Sequence, residues 1–260
     1  MSQNAYDEPV FFANYSELPR SQKGLDGALE WPLLRDLVGD VQGYHVLDLG
    51  CGFGWFCRWA VESGARKVHG IDVSQNMLQK AKALTTHPEI TYSIGDLEAI
   101  DLGEDSFDLV YSSLAFHYLT DVKELFGQVY KRLQAGGRFV FSIEHPIFTA
   151  PIVTAPAWTT GVDGNTVWGV DSYAEEGLRK RDWLGKEVHK QHRTVDTYIS
   201  LLLASGFILT AVKEWTPTTE YITEYPEWKR ERHRPLFLIL AARKPETDGR
   251  PGLNHQSESR

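Results

Sequence analysis

Three carboxylates stand where apolar runs meet turns: Asp48 in Val46-Leu47-Asp48-Leu49-Gly50-Cys51-Gly52-Phe53-Gly54, Asp72 in Val68-His69-Gly70-Ile71-Asp72, and Asp96 in Gly95-Asp96-Leu97. Closely spaced glycines after an apolar run bring bare backbone N–H groups near a ligand at the open end of a parallel sheet. An acidic residue about twenty positions beyond such a turn is placed to accept both hydroxyls of an adenosine ribose. Nicotinamide dinucleotide enzymes share that pairing, so by itself it restricts the ligand only to an adenine nucleoside derivative. The turn separates the alternatives. Asp48 precedes it, and no Lys or Arg lies between Asp48 and Trp55. A carboxylate there repels a pyrophosphate but suits a cationic or zwitterionic ligand, such as a sulfonium that carries an α-amino group.

Such a site needs a parallel sheet behind it. From Asp40 onward the sequence predicts strands at His45 to Leu49, Lys67 to Ile71, Ile90 to Ile94, Phe107 to Tyr111 and Arg138 to Ile143. Helices are expected between them at Trp55 to Ser63, Ser74 to about Leu84 with Ser74 as N-cap, and Val122 to Leu133. Gln134 to Gly137 reads as a turn before the fifth strand. This alternation means a doubly wound, mostly parallel α/β sheet with helices on both faces. Between His145 and about His192 the pattern breaks into a Pro-, Thr-, Gly- and Trp-rich segment, predicted to hold an antiparallel pair at Val167 to Glu176 and Leu184 to Lys190. A helix at Thr194 to Ser205 and strands at Phe207 to Trp215 and Leu236 to Ala242 follow. Residues 145–192 are expected to lie as an inserted cap over the carboxyl ends of the strands, and 245–260 to form a disordered tail.

Taken together, the run Val46 to Gly54, Gly70-Ile71-Asp72, Gly95-Asp96-Leu97 and Phe107-Asp108-Leu109-Val110 resemble the class I S-adenosylmethionine-dependent methyltransferases. They are most similar to the broad type 11-like group that methylates small molecules. The resemblance spans roughly residues 40 to 145, with weaker support after 194. It implies a seven-stranded Rossmann-like sheet of order 3-2-1-4-5-7-6 over residues 40–244, with S-adenosyl-L-methionine as cofactor. Gly50 and Gly52 would pass under the methionine part, and Asp48 would orient its amino group. Asp72 would bind the ribose diol, with Val73 and Met77 lining that side. Asp96 would accept from the adenine amine, and the Leu97 backbone would face the base. Ser112 would offer a backbone carbonyl near the methionine end. Residues 1–39 would fold over cofactor and substrate, where Tyr15 and Arg20 either bind the methionine carboxylate or stand in an exposed loop.

A sulfonium is already a good leaving group. The protein must therefore align the acceptor in line and, for a hydroxyl or acidic carbon, take a proton. His117, just past the fourth strand, either faces the acceptor or packs beside the cofactor. Glu144-His145-Pro146 ends the fifth strand with two titratable side chains, which either line the substrate site or close the strand. His189, His192 and Arg193 follow, but the histidines are not spaced as a dense ligand set and methyl transfer needs no metal, so none is expected. Trp158, Trp168 and Trp183, with Phe148 and Tyr173, would line an aromatic lid or join the cap to the sheet. Arg179-Lys180-Arg181 reads as a solvated face, and Cys51 as a small filler in the turn.

The chain has 260 residues, 42% apolar and 24% charged, which is one soluble core with an insertion rather than two domains. A net charge of −8 offers phosphate backbones no broad attraction. Two cysteines, no signal-peptide pattern and no membrane-length run make the cytoplasm the default compartment. The expected partner is a small-molecule substrate, with no nucleic acid and no membrane, and a homodimer is left open. The expected reaction is methylation of an oxygen or nitrogen on a small aromatic or apolar metabolite. Its rivals are a non-catalytic protein that keeps the cofactor fold, a dehydrogenase, which Asp48 opposes, and a protein methyltransferase. Ser112-Ser113-Leu114-Ala115 replaces the Asn/Asp-Pro-Pro-aromatic run of many amine methylases, which disfavours DNA and amide nitrogen.

Overall fold

The computed structural model describes residues 3–152 and 158–246. The central strand is β1, His45–Leu49, buried at every position, as a strand covered by helices on both faces must be. Val46 points into one core layer and Leu47 and Leu49 into the other, the period-2 alternation of a strand shared between two apolar layers. On one side of β1 lie β2, Lys67–Asp72, and β3, Ile90–Ile94. On the other lie β4, Phe107–Ser113, and β5, Leu133–Glu144. All of these pair in parallel. The last pair, Ile208–Trp215 and Phe237–Arg243, runs antiparallel, and the second of the two joins β5. Numbering only this sheet's seven strands in chain order, the arrangement is 3-2-1-4-5-7-6, the one the resemblance implied.

The helices follow from their own chemistry. Three short N-terminal ones, α1 (Pro9–Ser16), α2 (Pro19–Gln22) and α3 (Trp31–Val38), each carry a proline in the first turn, where its missing N–H costs nothing. The helix α4, Trp55–Glu62, follows the glycine turn. Ser74 caps α5, Gln75–Ala83, as expected: its Oγ accepts from the Met77 N–H at 3.1 Å. The helix α6, Lys123–Arg132, buries Leu125, Phe126 and Val129 against the sheet.

The largest departures from the sequence reading are at the start of β5 and in the insertion. Strand β5 begins at Leu133, because Leu133 pairs with Phe107 and Gln134 to Gly137 form a bulged start that Gly136 permits at φ 77°. Among its described residues the insertion holds a one-turn helix, α7 (Pro146–Thr149), and two hairpins: β6 (Trp158–Thr160) with β7 (Thr166–Trp168), and β8 (Gly177–Trp183) with β9 (Lys186–His192). The predicted pair at 167–176 and 184–190 is thus out of register with both. Leu184 and Gly185 are the turn of the second hairpin, at φ 52° and 83°, the double left-handed conformation that matches strand twist. Charged residues occupying β8 had masked its alternation. After α8, Val195–Ala204, and β10, Ile208–Trp215, the long connection to β11, Phe237–Arg243, contains α9, Thr219–Glu224, and a 3-10 segment at Pro226–His233.

The N-terminal segment and the second hairpin are joined. Ala5, Phe11 and Val188 share a small buried cluster with Tyr6, Tyr15, Trp183 and Leu184 packed on it. Gln3 clasps β9 by donating to the Glu187 carbonyl and accepting from the His189 N–H, at 3.0 and 2.7 Å. Asp7 holds the same segment to the start of α5, accepting from Ser74 Oγ and the Asn76 N–H. No helix among the described residues is long and apolar enough to cross a membrane. The tail expected over 245–260 lies outside the described residues beyond Glu246.

Candidate active site

The glycine turn opens where β1 ends. Gly50 and Cys51 both donate to the Ile71 carbonyl, so the turn is pinned to β2. Gly50 and Gly52 take φ 79° and 53°, and a Cβ built at Gly52 meets nothing within 4 Å. That open space is cavity. Asp72, buried at the tip of β2, accepts from the Gly52 N–H through Oδ2 at 2.8 Å and from the Ser74 N–H through Oδ1 at 2.9 Å. Burial pushes its carboxyl up to about 6. Asp48 is buried too, with Cys57 Sγ donating to Oδ2 at 3.3 Å, and burial pushes it up to about 7. Among the described residues neither carboxylate has an ion-pair partner, although each borders a cavity.

Two adjoining spaces share Tyr15, Arg20, Gly50, Gly52 and Ser113 as walls. The smaller, about 100 Å³, reaches Asp48, Glu30 and Tyr111. The larger, about 320 Å³, runs past Asp72, Val73, Met77 and Leu97 and then past His117, Tyr118, Glu144, Phe148 and Trp183. Arg20 stands at their junction, its Nη2 donating to both oxygens of the fully buried Glu30 at 3.2 and 3.0 Å. The sequence reading had placed Arg20 near a carboxylate; the protein supplies one of its own. Glu30 carried no signal, since nothing in a polar N-terminal stretch separates a buried Glu from an exposed one. The lining Tyr6 and Tyr118 hydroxyls, 3.4 Å apart, were likewise not singled out.

At the far end His117 Nδ1 accepts from the Glu144 N–H at 3.3 Å, so the neutral ring carries its proton on Nε2. Burial pushes the imidazole down to about 4, leaving it neutral near pH 7. Arg193 fixes the turn beneath it by donating to the Phe116, Leu119 and Thr120 carbonyls. Glu144 Oε1 accepts from Lys190 Nζ at 2.5 Å, while Oε2 is buried with no partner. Burial favours the neutral acid, but the Lys190 ammonium outweighs it and holds Glu144 below the usual carboxylate range.

The structure therefore brings Tyr15, Arg20, Asp48, Gly50, Gly52, Asp72, Val73, Met77, Leu97, His117 and Glu144 to two adjoining spaces with shared walls. Three candidates stand apart from them. His145 caps α7 through Nδ1 and meets Glu214 of β10 through Nε2 at 2.8 Å, so both ring nitrogens are engaged away from the cavity. Ser112 Oγ donates to the Leu49 carbonyl, and the following Ser113 lines the cavity instead. Asp96 is half-buried beside Leu97 with Oδ1 accepting from the Glu98 N–H, and does not line the cavity.

A family model described as a methyltransferase domain matches residues 47–141. The crystal structure of an S-adenosylmethionine-dependent methyltransferase from Mesorhizobium loti is 51% identical, with a TM-score of 0.81, covering 85% of this chain and 100% of its own. An uncharacterized protein of Haemophilus influenzae is 32% identical over 254 residues, 94% of this chain and 98% of its own. A malonyl-[acyl-carrier protein] O-methyltransferase of Erwinia billingiae is 38% identical over 102 residues, 39% of each chain.

Proposed function

The chain belongs to the class I S-adenosylmethionine-dependent methyltransferases, in the type 11-like small-molecule group, and from that premise we propose that it methylates an oxygen or nitrogen of a small metabolite with an aromatic or apolar body. The observation that carries this reading is a pair of buried carboxylates without cations at one end of a cavity that is aromatic and hydrogen-bonding at the other.

The residues present fit the cofactor. A buried Asp48 with no cation beside it among the described residues matches an α-ammonium group, and Asp72 keeps lone pairs for a diol after accepting two backbone N–H bonds. Arg20 keeps donors beyond the Nη2 given to Glu30, enough for a carboxylate, with Tyr15 beside it. Val73, Met77 and Leu97 offer an apolar slot of the kind a purine needs, with Asp96 next to it. Gly50 and Gly52 leave the floor bare. When bound, the sulfonium supplies an electrophilic methyl group and a good leaving group. The chain must then only align and deprotonate the acceptor. Glu144, held ionised, presents the partnerless Oε2 as the atom that accepts the acceptor's proton. His117, neutral with Nε2–H, donates to and orients the acceptor rather than acting as a base. Tyr6, Tyr118, Phe148 and Trp183 enclose an apolar body and keep water out. Trp183 sits on the insertion and Tyr6 on the N-terminal segment, so both would act as a cap.

Calorimetric titration with S-adenosylmethionine, S-adenosylhomocysteine and NAD tests the reading. Micromolar binding of the first two, none of NAD, and loss of binding in Asp72→Ala support it. Failure of both adenosyl ligands to bind folded protein overturns it.

A further inference from the structure

The second hairpin of the insertion is built inside out. Side chains alternate across a strand, so Arg179, Arg181 and Trp183 share one face of β8, and Lys190 of β9 stands opposite Arg179. The apolar Leu178, on the other face, is 49% exposed, whereas Arg179 and Lys190 are each 5% exposed. The basic run that reads as a solvated face in the sequence thus turns two of its three cations inward. They face a chamber of about 150 Å³ bounded by Glu144, Phe148, Thr149, Arg179, Arg181, Asp182, Trp183 and Lys190. Glu144, Phe148 and Trp183 also line the larger cavity, so the two spaces meet across that wall.

Charge in the chamber is unbalanced. Lys190 is spent on Glu144 at 2.5 Å. Arg179 donates to the Ala150, Ser172 and Glu175 carbonyls, and Arg181 to those of Thr149, Pro151 and Lys180. Carbonyls orient a guanidinium without cancelling its charge. Among the described residues neither arginine has a carboxylate at ion-pair distance, and Asp182 on the same wall is exposed and screened. Burial, and then the neighbouring charge of Arg179, press Arg181 toward losing its proton, a repulsion that an anion would relieve.

We propose that this chamber is an anion subsite of the acceptor site, and that the acceptor carries a carboxylate or phosphate held by Arg181 while its apolar body lies against Phe148 and Trp183. The inference rests on the methyltransferase reading and deepens it by naming the substrate class. The nucleophilic atom then lies on the His117 and Glu144 side of the shared wall, and the anion on the other.

The test is calorimetry on protein saturated with S-adenosylhomocysteine, using benzoate, phenyl phosphate and neutral benzyl alcohol as probes. At least one anion is expected to bind at least about tenfold more tightly than benzyl alcohol, and the better of the two identifies the anion. Arg181→Met is expected to lose that difference and Arg181→Lys to retain most of it, both with unchanged S-adenosylhomocysteine affinity, which also reports that they fold. Equal binding of benzyl alcohol, no binding of either anion, or an Arg181→Met variant that still prefers anions overturns the subsite. Loss of S-adenosylhomocysteine binding in the parent protein instead overturns the reading on which it rests.

Discussion

The two ends of the cavity handle buried carboxylates in opposite ways. At the cofactor end Asp48 and Asp72 are buried without a cation and are pushed up to about 7 and about 6. At the acceptor end Glu144 is less completely buried, its side chain 16% exposed, and Lys190 at 2.5 Å holds it ionised. A buried carboxylate with no counter-charge costs the free protein stability, and folding retains it only where something else is gained. The difference teaches that the cofactor end is complementary to a ligand that brings its own positive charge. At the acceptor end Glu144 already has its cation in Lys190 and needs none from the ligand.

Breaking the Lys190–Glu144 pair gives the largest expected effect. Lys190→Met strands Glu144 in the interior and should cost about 3 kcal/mol of stability in chemical denaturation. Adding Glu144→Gln should recover most of that loss, because the stranded charge goes with it. Recovery of nothing would mean that Lys190 acts through packing on Trp183 and Tyr118, its ring neighbours at 5.3 and 5.9 Å.

At the cofactor end the same kind of change should act on binding instead. Asp72→Ala removes the acceptor for the Gly52 and Ser74 N–H groups along with the proposed ribose contact. S-adenosylhomocysteine affinity should fall about a hundredfold, near 3 kcal/mol. Asp48→Asn should weaken it less, roughly thirtyfold, while leaving the melting temperature of the free protein unchanged or higher, since a costly buried acid becomes an amide. A lower melting temperature with intact affinity would place Asp48 in the fold rather than the site.

The contrast between the ends also explains what could be read from the sequence. The alternation of strands and helices and the glycine-turn end were legible because they rest on local rules: a strand, glycines that need positive φ, and an acidic residue at the next strand tip. The strand order came from the family resemblance those motifs carry. Gly50, Gly52 and Asp72 announce themselves within a few residues of one another or of a strand end. The acceptor end depends on pairings between distant positions. Lys190 meets Glu144 only because a hairpin turning at Leu184-Gly185 lies over β5, and its register was misread from the charged β8. Glu30 reaches Arg20 through a fold of the N-terminal segment that no periodicity marks. His145, prominent beside Glu144 in the sequence, was drawn away by Glu214, sixty-nine positions along the chain.

The smallest expected change in affinity is its dependence on pH, which stability should mirror with the opposite sign. Asp48 has its folded pKa raised to about 7, above the ordinary value of 3.8, so the folded protein binds more protons than the unfolded chain between those values. Stability of the free protein should therefore fall as pH rises from about 4 to 7, the opposite sign to Glu144, whose lowered pKa adds stability that is lost only on acidification. Binding runs the other way. Only ionised Asp48 attracts an ammonium group, so S-adenosylhomocysteine affinity should rise about tenfold between roughly pH 6 and 8. In Asp48→Asn that rise should flatten. Affinity measured across this range in both proteins decides the matter: parallel curves would mean that the proton linked to binding sits elsewhere, and that the buried charge at the cofactor end is not what the ligand answers.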